Sequence, residues 1–317
     1  MKLATAEKRW LIADIGGTNS RLAVWHPGQG RGELVDLRKL SNTAYVQIDD
    51  MLGSYLDGYS GDTPTGAVLA IAGPVTGDAI SLLNIDWSFT VAGLRERLGL
   101  GELIVINDFE ALAHVAPVLR DDEYQQIGGG KADPDAPVVL VGPGTGLGVA
   151  SLIPTPERHI AVPGEGGHRS LAAASTDEAR IIETVRQRYS HCSAERVLSG
   201  AGLAMLHEIL HDEALSAAEI SRRGKNGDAK ARATFEQFFL FLGTVAGDLA
   251  LTLGAHGGVY IGGGIVLANI ELFAESGFRE RFVDKGRFRD YLEAIPTRVI
   301  TLDTPALVGL AGLVATL

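Results

Sequence analysis

The order of apolar and polar residues predicts a chain of alternating strands and helices. Residues 10–16 (WLIADIG) form the apolar run of a buried strand, and residues 21–25 (RLAVW) alternate as a second strand does. Residues 137–153 again predict a strand, a glycine-rich turn and a strand. Because LIADIGGTNSRLAV and VLVGPGTGLGVASL align by eye, the sequence indicates a weak internal duplication.

The remaining apolar and polar pattern predicts further helices and strands, and the residues at which some of the helices begin. Thr90 is a predicted helix N-cap, and Ser175 with Glu178 has the spacing of a capping box. Residues 128–137, rich in Gly, Pro and Asp, predict a loop near a domain boundary. We predict helices over residues 44–58, 90–99, 109–119, 233–254 and 304–317, strands over 67–73, 79–84 and 103–107, and a strand that runs into glycines and then a helix over 259–266.

The composition narrows the class of protein. A chain of 317 residues with 46% apolar residues favours two domains. Its net charge of −11 argues against a nucleic-acid or anionic-membrane partner. The one cysteine, Cys192, excludes an intramolecular disulfide framework and fits a reducing cytosol. The N-terminus lacks a signal-peptide pattern, and no apolar run approaches the ~18 residues of a membrane helix, so we expect a soluble, cytoplasmic protein.

The glycines of the first predicted hairpin indicate a particular kind of phosphate site. A Rossmann or P-loop site would place a helix after its glycines, whereas here a strand follows. Glycine lets backbone N–H groups approach phosphate oxygens without a Cβ in the way. Either hairpin alone is also compatible with an ordinary tight turn. The second hairpin and the Gly262–Gly264 triplet together favour phosphate binding.

Polar residues beside these glycines suggest how the negative charge of a bound phosphate would be neutralised. Asp14 ends the first strand, where its carboxylate could hold Mg²⁺ through water. Thr18 and Thr145 offer hydroxyl groups. Arg21 could neutralise phosphate charge or be a solvated charge on the strand, and the sequence leaves both open.

Asn107 and Asp108 end the strand at 103–107, just before a predicted helix. An acid at the carboxyl end of a strand is a common active-site position in α/β folds. Asp108 could accept the proton of a substrate hydroxyl, and Asn107 could bind a neighbouring hydroxyl. The alternative is that Asp108 is only the N-cap of the helix.

Two later segments carry acid and imidazole groups. Glu165 and His168 lie in PGEGGHRS, whose glycines predict a rigid turn, and such side chains suit the paired hydroxyls of a sugar. A helical Glu-x-x-His metal half-site is the alternative, which Gly166 and Gly167 disfavour. Glu195 in SAERVLSG is ambiguous, because Ser193 could cap a helix and Glu195 be a surface charge.

HEILH at residues 207–211 matches the H-E-x-x-H zinc motif, with Glu208 as the base of a peptidase. The extended motif does not follow, and a third ligand such as Glu236 or His256 has no support in the sequence. The surrounding apolar positions predict an amphipathic helix with these polar residues facing outward. Zinc peptidase activity is therefore a remote alternative.

Taken together, the motifs resemble those of bacterial glucokinases, in the hexokinase, actin and heat-shock ATPase superfamily. ADIGGTNSRLAV resembles the first phosphate motif, VINDFEA the catalytic stretch and GPGTGLGVA the second phosphate motif. VPGEGGH and SAERVLSG resemble the sugar-binding segments, and VYIGGGIV the glycines on the nucleotide side. FVDKGRFRDYL also resembles the family, so the likeness covers nearly the whole chain.

The resemblance implies a two-domain, actin-like ATPase (ribonuclease H-like) α/β fold, with mixed sheets flanked by helices and a cleft between the domains. We expect residues 1–118 with 303–317 to form a small α/β domain, and residues 119–302 a large one. The implied activity is ATP-dependent phosphorylation of D-glucose at the 6-hydroxyl, the opening step of glycolysis, by a homodimer that uses Mg²⁺.

The resemblance also implies roles for residues at matching positions. Asp108 would be the general base, and Asp14 would hold Mg²⁺ through water. The implied sugar ligands are Asn84, Asn107, Asp108, Glu165, His168 and Glu195. The implied ATP-binding residues are Ala13, Asp14, Ile15, Gly16, Gly17, Thr18, Asn19, Arg21, Gly144, Thr145, Gly146, Gly262, Gly263 and Gly264.

Alternatives from other classes stay open at this point. A kinase for another hexose, such as fructose or mannose, would share every phosphate feature. A non-catalytic sugar sensor would share the fold and the sugar ligands. The repressor-type sugar kinases carry a Cys-rich zinc motif that a single cysteine cannot supply, so that branch is excluded.

Overall fold

The computed structural model describes residues 8–73, 75–82 and 85–317. Asn84, a predicted sugar ligand, lies outside the described residues. The contacts divide the chain into two compact units. The first contains the described residues up to Leu119 together with Asp303–Leu317, and the second is Arg120–Leu302.

Strands occur in both units. Those of the first unit are β1 (Trp10–Ile15), β2 (Asn19–His26), β3 (Glu33–Ser41), β4 (Gly66–Ile71), β5 (Ala79–Ser81), β6 (Ser88–Thr90) and β7 (Glu102–Asn107). Those of the second unit are β8 (Tyr124–Gly128), β9 (Val138–Pro143), β10 (Leu147–Pro154), β11 (His159–Gly164), β12 (Gly258–Ile261) and β13 (Thr297–Ile300).

Helices follow the strands in both units, and the last one returns to the first unit. The first unit begins with α1 (Ile48–Asp57), α2 (Val91–Arg97) and α3 (Asp108–Ala113). The second unit has α4 (Thr176–Tyr189), α5 (Ala194–Val197), α6 (Gly200–His211), α7 (Ala217–Lys225), α8 (Ala229–Leu253), α9 (Gly264–Ala268), α10 (Ile270–Glu275), α11 (Phe278–Val283) and α12 (Arg289–Glu293), and α13 (Pro305–Val314) completes the first unit.

The main sheets of the two units share one topology. The first has strand order β3-β2-β1-β4-β7, and the second has β11-β10-β9-β12-β13, with β8 added beside β13. In each, the opening strand (β1 or β9) pairs antiparallel with the next strand and parallel with the strand that returns (β4 or β12). The internal duplication predicted from the sequence is therefore confirmed in the strand order, and both sheets are mixed and flanked by helices.

The central strand of the first unit is buried on both of its faces, as its apolar sequence predicts. Successive side chains of a strand point to opposite faces. Leu11 packs in a cluster with Met51 of α1, whereas Ile12 packs in a cluster with Leu310 of α13. The C-terminal helix thus covers one face of the sheet and α1 covers the other.

The long helix α8 forms the core of the second unit. Its fully buried phenylalanines pack with those of α10 and α11, and the rings involved are Phe235, Phe238, Phe239, Phe273, Phe278 and Phe282. The expectation that no apolar run approaches membrane length was wrong for α8, which is long and apolar enough by composition. Of that apolar stretch, 56% is buried inside the unit, so the core explains its composition.

Some predicted helix ends were confirmed and others were wrong. The side chains of Thr90 and Ser175 accept hydrogen bonds from the N–H groups of Gly93 and Glu178, as N-caps do. Glu178, however, accepts from Ala174 and is buried in an ion pair with Arg281 at 2.7 Å, so the capping box is incomplete.

Two predicted helices are shorter than expected. α1 begins at Ile48, because Gln47 and Asp50 cap it reciprocally. α3 ends at Ala113, and a short 3₁₀ turn over Ala116–Val118 follows. Pro117 in that turn has no N–H for a continuing helix.

Gly309 in α13 lies at the contact between this helix and α3. A Cβ on Gly309 would collide with the carbonyl oxygen of Ala111 in α3, and that backbone atom cannot rotate away. Gly309→Ala should lower the free energy of unfolding by at least about 2 kcal/mol. The measurement is denaturant unfolding followed by tryptophan fluorescence, since Trp10, Trp25 and Trp87 all lie in this unit.

Gly53→Ala is the matched control for that variant. Gly53 lies inside α1, and a Cβ there would meet no atom within 4 Å. Helix propensity should make this change neutral or stabilising by up to about 1 kcal/mol. Equal effects at the two positions would contradict the packing account.

Candidate active site

The first glycine turn, residues 16–18, connects β1 to β2. The N–H of Gly16 donates to the carbonyl of Asn19 at 3.2 Å and closes the turn. A Cβ on Gly16 would lie 2.8 Å from that same oxygen, so the turn requires glycine there. The N–H groups of Gly17 and Thr18 have no protein acceptor among the described residues and are available to a ligand.

A residue that sequence reasoning missed holds this turn. Asn42 follows β3 and is fully buried. Its Nδ2 donates to the carbonyl of Gly16 at 2.7 Å, and its Oδ1 accepts from the hydroxyl of Ser20 at 2.7 Å. No motif marks this position, because an Asn after a strand is an ordinary loop residue.

Asp14 lies on β1 beside the first glycine turn. It is opposite Arg21 on β2, and their charged atoms, Nη1 of Arg21 and Oδ2 of Asp14, are 3.8 Å apart. Burial raises the pKa of Asp14, and the guanidinium of Arg21 opposes that rise. Arg21 therefore balances a half-buried carboxylate, a role that neither sequence interpretation had given it.

Asn107, at the end of β7, is the N-cap of α3. Its Oδ1 accepts from the N–H of Phe109 at 2.8 Å and of Glu110 at 3.3 Å, and its Nδ2 donates to the carbonyl of Gly73 at 3.0 Å. The alternative that Asp108 is the cap was wrong, because Asp108 is the first residue of the helix itself. Asn107 retains one amide hydrogen for a ligand.

Asp108 has an unusual electrostatic environment. Removal from water raises its pKa to about 6, the hydrogen bond from the N–H of Phe109 opposes the rise, and the nearby negative charge of Asp14 adds to it. The parallel strands β1, β4 and β7 end at the same edge of the sheet, which brings Asp14 and Asp108 near each other. A carboxyl group with such a pKa can accept a proton near neutral pH.

The second glycine turn, residues 144–146, connects β9 to β10. The N–H of Gly144 donates to the carbonyl of Gly146 at 2.8 Å, and the N–H of Gly200 donates to the carbonyl of Gly144 at 2.8 Å. The N–H of Leu147 donates to Oε2 of Glu195 at 2.9 Å. This turn is therefore held by the start of α6 and by a carboxylate of α5.

The predicted sugar ligands of the second unit converge beside this turn. Nε2 of His168 is 3.8 Å from Oε2 of Glu165, and Nδ1 is 3.9 Å from Oε1 of Glu195. Glu165 and His168 are exposed, with 75% and 61% of their side chains accessible. Their segment is a 3₁₀ turn rather than a helix, so the helical metal half-site is not formed.

Close packing explains the glycines of this segment. A Cβ on Gly167 would collide with the carbonyl oxygen of Leu147, and one on Gly166 would lie 2.9 Å from Val149. The 3₁₀ turn therefore lies directly on β10. The Gly166-Gly167 pair in the sequence already indicated a close approach to the backbone, but only the packing shows that β10 is the element that approaches.

Glu195 is partly buried and hydrogen-bonded to the backbone, unlike an ordinary surface charge. Ser193 caps α5 by accepting from the N–H of Arg196 at 3.3 Å, as the alternative interpretation proposed. The carboxylate of Glu195 is only 33% exposed and binds the backbone of the second glycine turn. A cavity of about 160 Å³ lies here, lined by Thr145, Tyr189, Glu195, Arg196, Ser199, Ala201 and Met205.

The glycine triplet at 262–264 packs against the end of β9. The N–H of Gly262 donates to the carbonyl of Val141 at 3.0 Å. Gly263 has a φ of +87°, and a Cβ there would collide with the carbonyl of Pro143. The triplet thus lies beside the strand that leads into the second glycine turn, and α9 follows it as predicted.

The HEILH segment is part of a packed helix. His207 is buried and its Nδ1 lies 2.8 Å from the hydroxyl of Thr234, so the prediction that it faces outward was wrong. Glu208 pairs with Arg188 at 3.1 Å. In the part of the chain that the structure describes, no group of three or more His, Cys, Asp and Glu side chains is placed to hold a metal ion. The zinc alternative gains no support.

The repeated mixed sheet, opening in each unit with a hairpin that turns on glycines, defines an actin-like ATPase fold of the kind found in sugar kinases. A family model described as Glucokinase matches residues 11–317. The chain belongs to the glucokinase family.

Individual relatives agree with this assignment. Over 311 residues the chain is 47% identical to a glucokinase of Nitrobacter hamburgensis, covering 96% of each protein. The crystal structure of a glucokinase from an Antarctic psychrotroph is 35% identical with a TM-score of 0.90, covering 96% of this chain and 98% of that one. A ROK family glucokinase from Streptomyces griseus shares the fold at 21% identity and a TM-score of 0.63, covering 97% and 99%.

The partly buried carboxylate of Asp108 should make the fold less stable near neutral pH. Its pKa is raised from 3.8 to about 6, so protonation stabilises the folded state; this contribution is complete below pH 3.8 and is lost as pH rises through about 6. Asp108→Asn should therefore increase the free energy of unfolding at pH 8 by about 1–3 kcal/mol, and by little at pH 4. Denaturant unfolding at both pH values measures this.

Asp122→Asn, at an exposed aspartate, controls for the general effect of losing one negative charge. It should change the free energy of unfolding by less than about 0.5 kcal/mol. A gain for Asp108→Asn that is the same at both pH values would contradict the electrostatic account.

Proposed function

We propose that this chain transfers the γ-phosphoryl group of ATP to the 6-hydroxyl of D-glucose, giving glucose 6-phosphate and ADP. The proposal rests above all on the glucokinase match over residues 11–317, a span that contains Asp108 and both glycine turns. The Nitrobacter relative is named a glucokinase, and the Streptomyces griseus protein was crystallised with glucose and AMPPNP.

The two glycine turns supply the backbone groups that would bind ATP phosphates. Phosphoryl transfer depends mainly on positioning and on neutralising charge. The N–H groups of Gly17 and Thr18, which have no acceptor in the part of the chain that the structure describes, are donors of the type that binds phosphate oxygens, and Thr145 adds a hydroxyl. We assign the glycines at 262–264, which pack beside β9, to the nucleotide as well.

The residues present fit a magnesium ion. Asp14 is a half-buried carboxylate beside the first glycine turn; burial raises its pKa, and Arg21, 3.8 Å away, opposes only part of that rise. Oxygen ligands and retained waters are what Mg²⁺ prefers, so Asp14 would hold the ion through water. When bound, the ion neutralises charge on the phosphate oxygens.

Asp108 is proposed to accept the proton of the sugar 6-hydroxyl. As that proton leaves, the hydroxyl oxygen forms a bond to the γ-phosphorus and the bond from the γ-phosphorus to ADP breaks. A well-placed general base is worth about 10²- to 10⁴-fold in rate. The elevated pKa makes Asp108 a better base than an ordinary aspartate, and it stays ionised above pH 6. Asn107, which caps the same helix, presents its remaining amide hydrogen to a neighbouring hydroxyl.

Glu165, His168 and Glu195 are proposed to bind the other hydroxyls of the sugar. Carboxylates accept hydrogen bonds and the imidazole accepts or donates, so the three discriminate between hydroxyl positions. A sugar that lacks one hydroxyl would leave a polar group unpaired, at a cost of about 1–3 kcal/mol.

We propose that Asn84 binds sugar, that the enzyme is a cytoplasmic homodimer, and that residues 1–118 with 303–317 and residues 119–302 act as its two domains. The net charge of −11 fits a protein without a nucleic-acid partner.

The activity is tested by measuring ADP release from Mg-ATP with glucose, fructose, mannose and no sugar. Glucose should give the highest kcat/KM, whereas a sugar sensor would release no ADP with any of them.

Asp108→Ala should lower kcat by at least about 10²-fold while glucose binding survives. A kcat close to that of the unmodified enzyme would remove Asp108 from the mechanism.

The role of Glu165 is tested by calorimetry. Glu165→Gln keeps the shape of an exposed side chain but removes its charge, so glucose affinity should fall about 10-fold with no change in the fold. Glu157→Gln, in the exposed loop between β10 and β11, is the control and should leave affinity unchanged. An unchanged glucose Kd for Glu165→Gln would remove Glu165 from the sugar site.

A further inference from the structure

Asn42 makes three hydrogen bonds to the first glycine turn and the strand that follows it. Its side-chain Nδ2 donates to the carbonyl of Gly16 at 2.7 Å, and its backbone N–H donates to the carbonyl of Thr18 at 2.9 Å. Its Oδ1 accepts from the hydroxyl of Ser20 at 2.7 Å. Asn42 and Ser20 are both completely buried, so no solvent competes for these bonds.

These bonds determine where the amides of the turn point. A peptide unit is planar and trans, so its C=O and the following N–H point in opposite directions. Holding the carbonyl of Gly16 therefore orients the N–H of Gly17, and holding the carbonyl of Thr18 orients the N–H of Asn19. Glycines lack a Cβ and rotate easily, so the turn needs such an external constraint.

The second glycine turn is constrained in the same way by other groups. The N–H of Gly200 holds the carbonyl of Gly144, which orients the N–H of Thr145, and Glu195 accepts from Leu147. In the second unit the constraint comes from the backbone at the start of α6 and from a carboxylate. In the first unit it comes from one asparagine.

We propose that Asn42 is a positioning residue that orients the N–H groups of Gly17 and Asn19, at the first glycine turn, to receive the phosphates of ATP. It acts through the peptide units of Gly16 and Thr18 and does not itself touch the nucleotide. The inference rests on the proposed function of the turn, and it adds a determinant of ATP affinity that lies one strand away from the glycines.

Asn42→Asp is the sharpest test because it keeps the shape and replaces the Nδ2 donor with an oxygen facing the Gly16 carbonyl. The dissociation constant of Mg-AMPPNP, measured by calorimetry at pH 8, should rise at least about 10-fold. The dissociation constant of glucose should stay within about twofold. In ADP-release assays, KM for ATP should rise while KM for glucose does not.

Two further variants separate positioning from general loss of stability. Asn42→Ala introduces no buried charge and should weaken AMPPNP in the same direction, which covers the case in which Asn42→Asp does not fold. Thr234→Val removes another fully buried hydrogen-bonding group, on α8, and should lower the melting temperature without changing either affinity.

Several outcomes would overturn the proposal. If folded Asn42→Asp or Asn42→Ala binds AMPPNP as tightly as the unmodified protein, Asn42 does not position the turn. Equal weakening of AMPPNP and glucose, or the same weakening in Thr234→Val, would show a merely structural role. If the unmodified protein binds AMPPNP but releases no ADP with any hexose, the proposed function fails while the binding measurements still decide the role of Asn42.

Discussion

The carbonyl oxygens of Gly16 and Gly144 each accept a hydrogen bond from outside their own hairpin, and the conformation of each glycine turn depends on that bond. A glycine turn has many accessible conformations, and a ligand that had to select one of them would bind more weakly. Because each peptide unit is rigid, one bond to a carbonyl fixes the next amide. The duplicated sheets therefore supply the same type of preorganised turn twice, with different residues as the constraint.

Buried charge is the second feature of the site. Asp14 lies near the end of β1 and Asp108 directly follows β7 in the same sheet, and loss of water raises the pKa of both carboxyl groups. Arg21 offsets part of this cost for Asp14, and backbone N–H groups at the start of α3 offset part of it for Asp108. The remaining cost falls on the stability of the fold, as is common at sites that hold reactive or ion-binding groups.

The candidate site was predicted from sequence only where a residue type is informative by itself. Glycines at 16, 144 and 167 were visible because glycine marks close approach or an unusual turn, and Asp108 was visible because it follows an apolar strand. Asn42 and Tyr189 were not, since an isolated asparagine or tyrosine has many ordinary uses. The helix caps show the same limit. Ser175 was correctly predicted to cap α4, but the partner of the Glu178 carboxylate is Arg281, which is distant in the sequence.

The sequence by itself determined the alternation of strands and helices, the duplicated hairpins and the family, because apolar periodicity and ordered motifs are local properties. Only the tertiary structure decided that Asn107 caps α3 and leaves Asp108 inside it, that Arg21 faces Asp14, and that Glu195 binds the second glycine turn. Each of these is a contact between residues that are adjacent in space through strand pairing or helix packing. Burial, which sets the pKa of Asp108, likewise depends on every element packed around it.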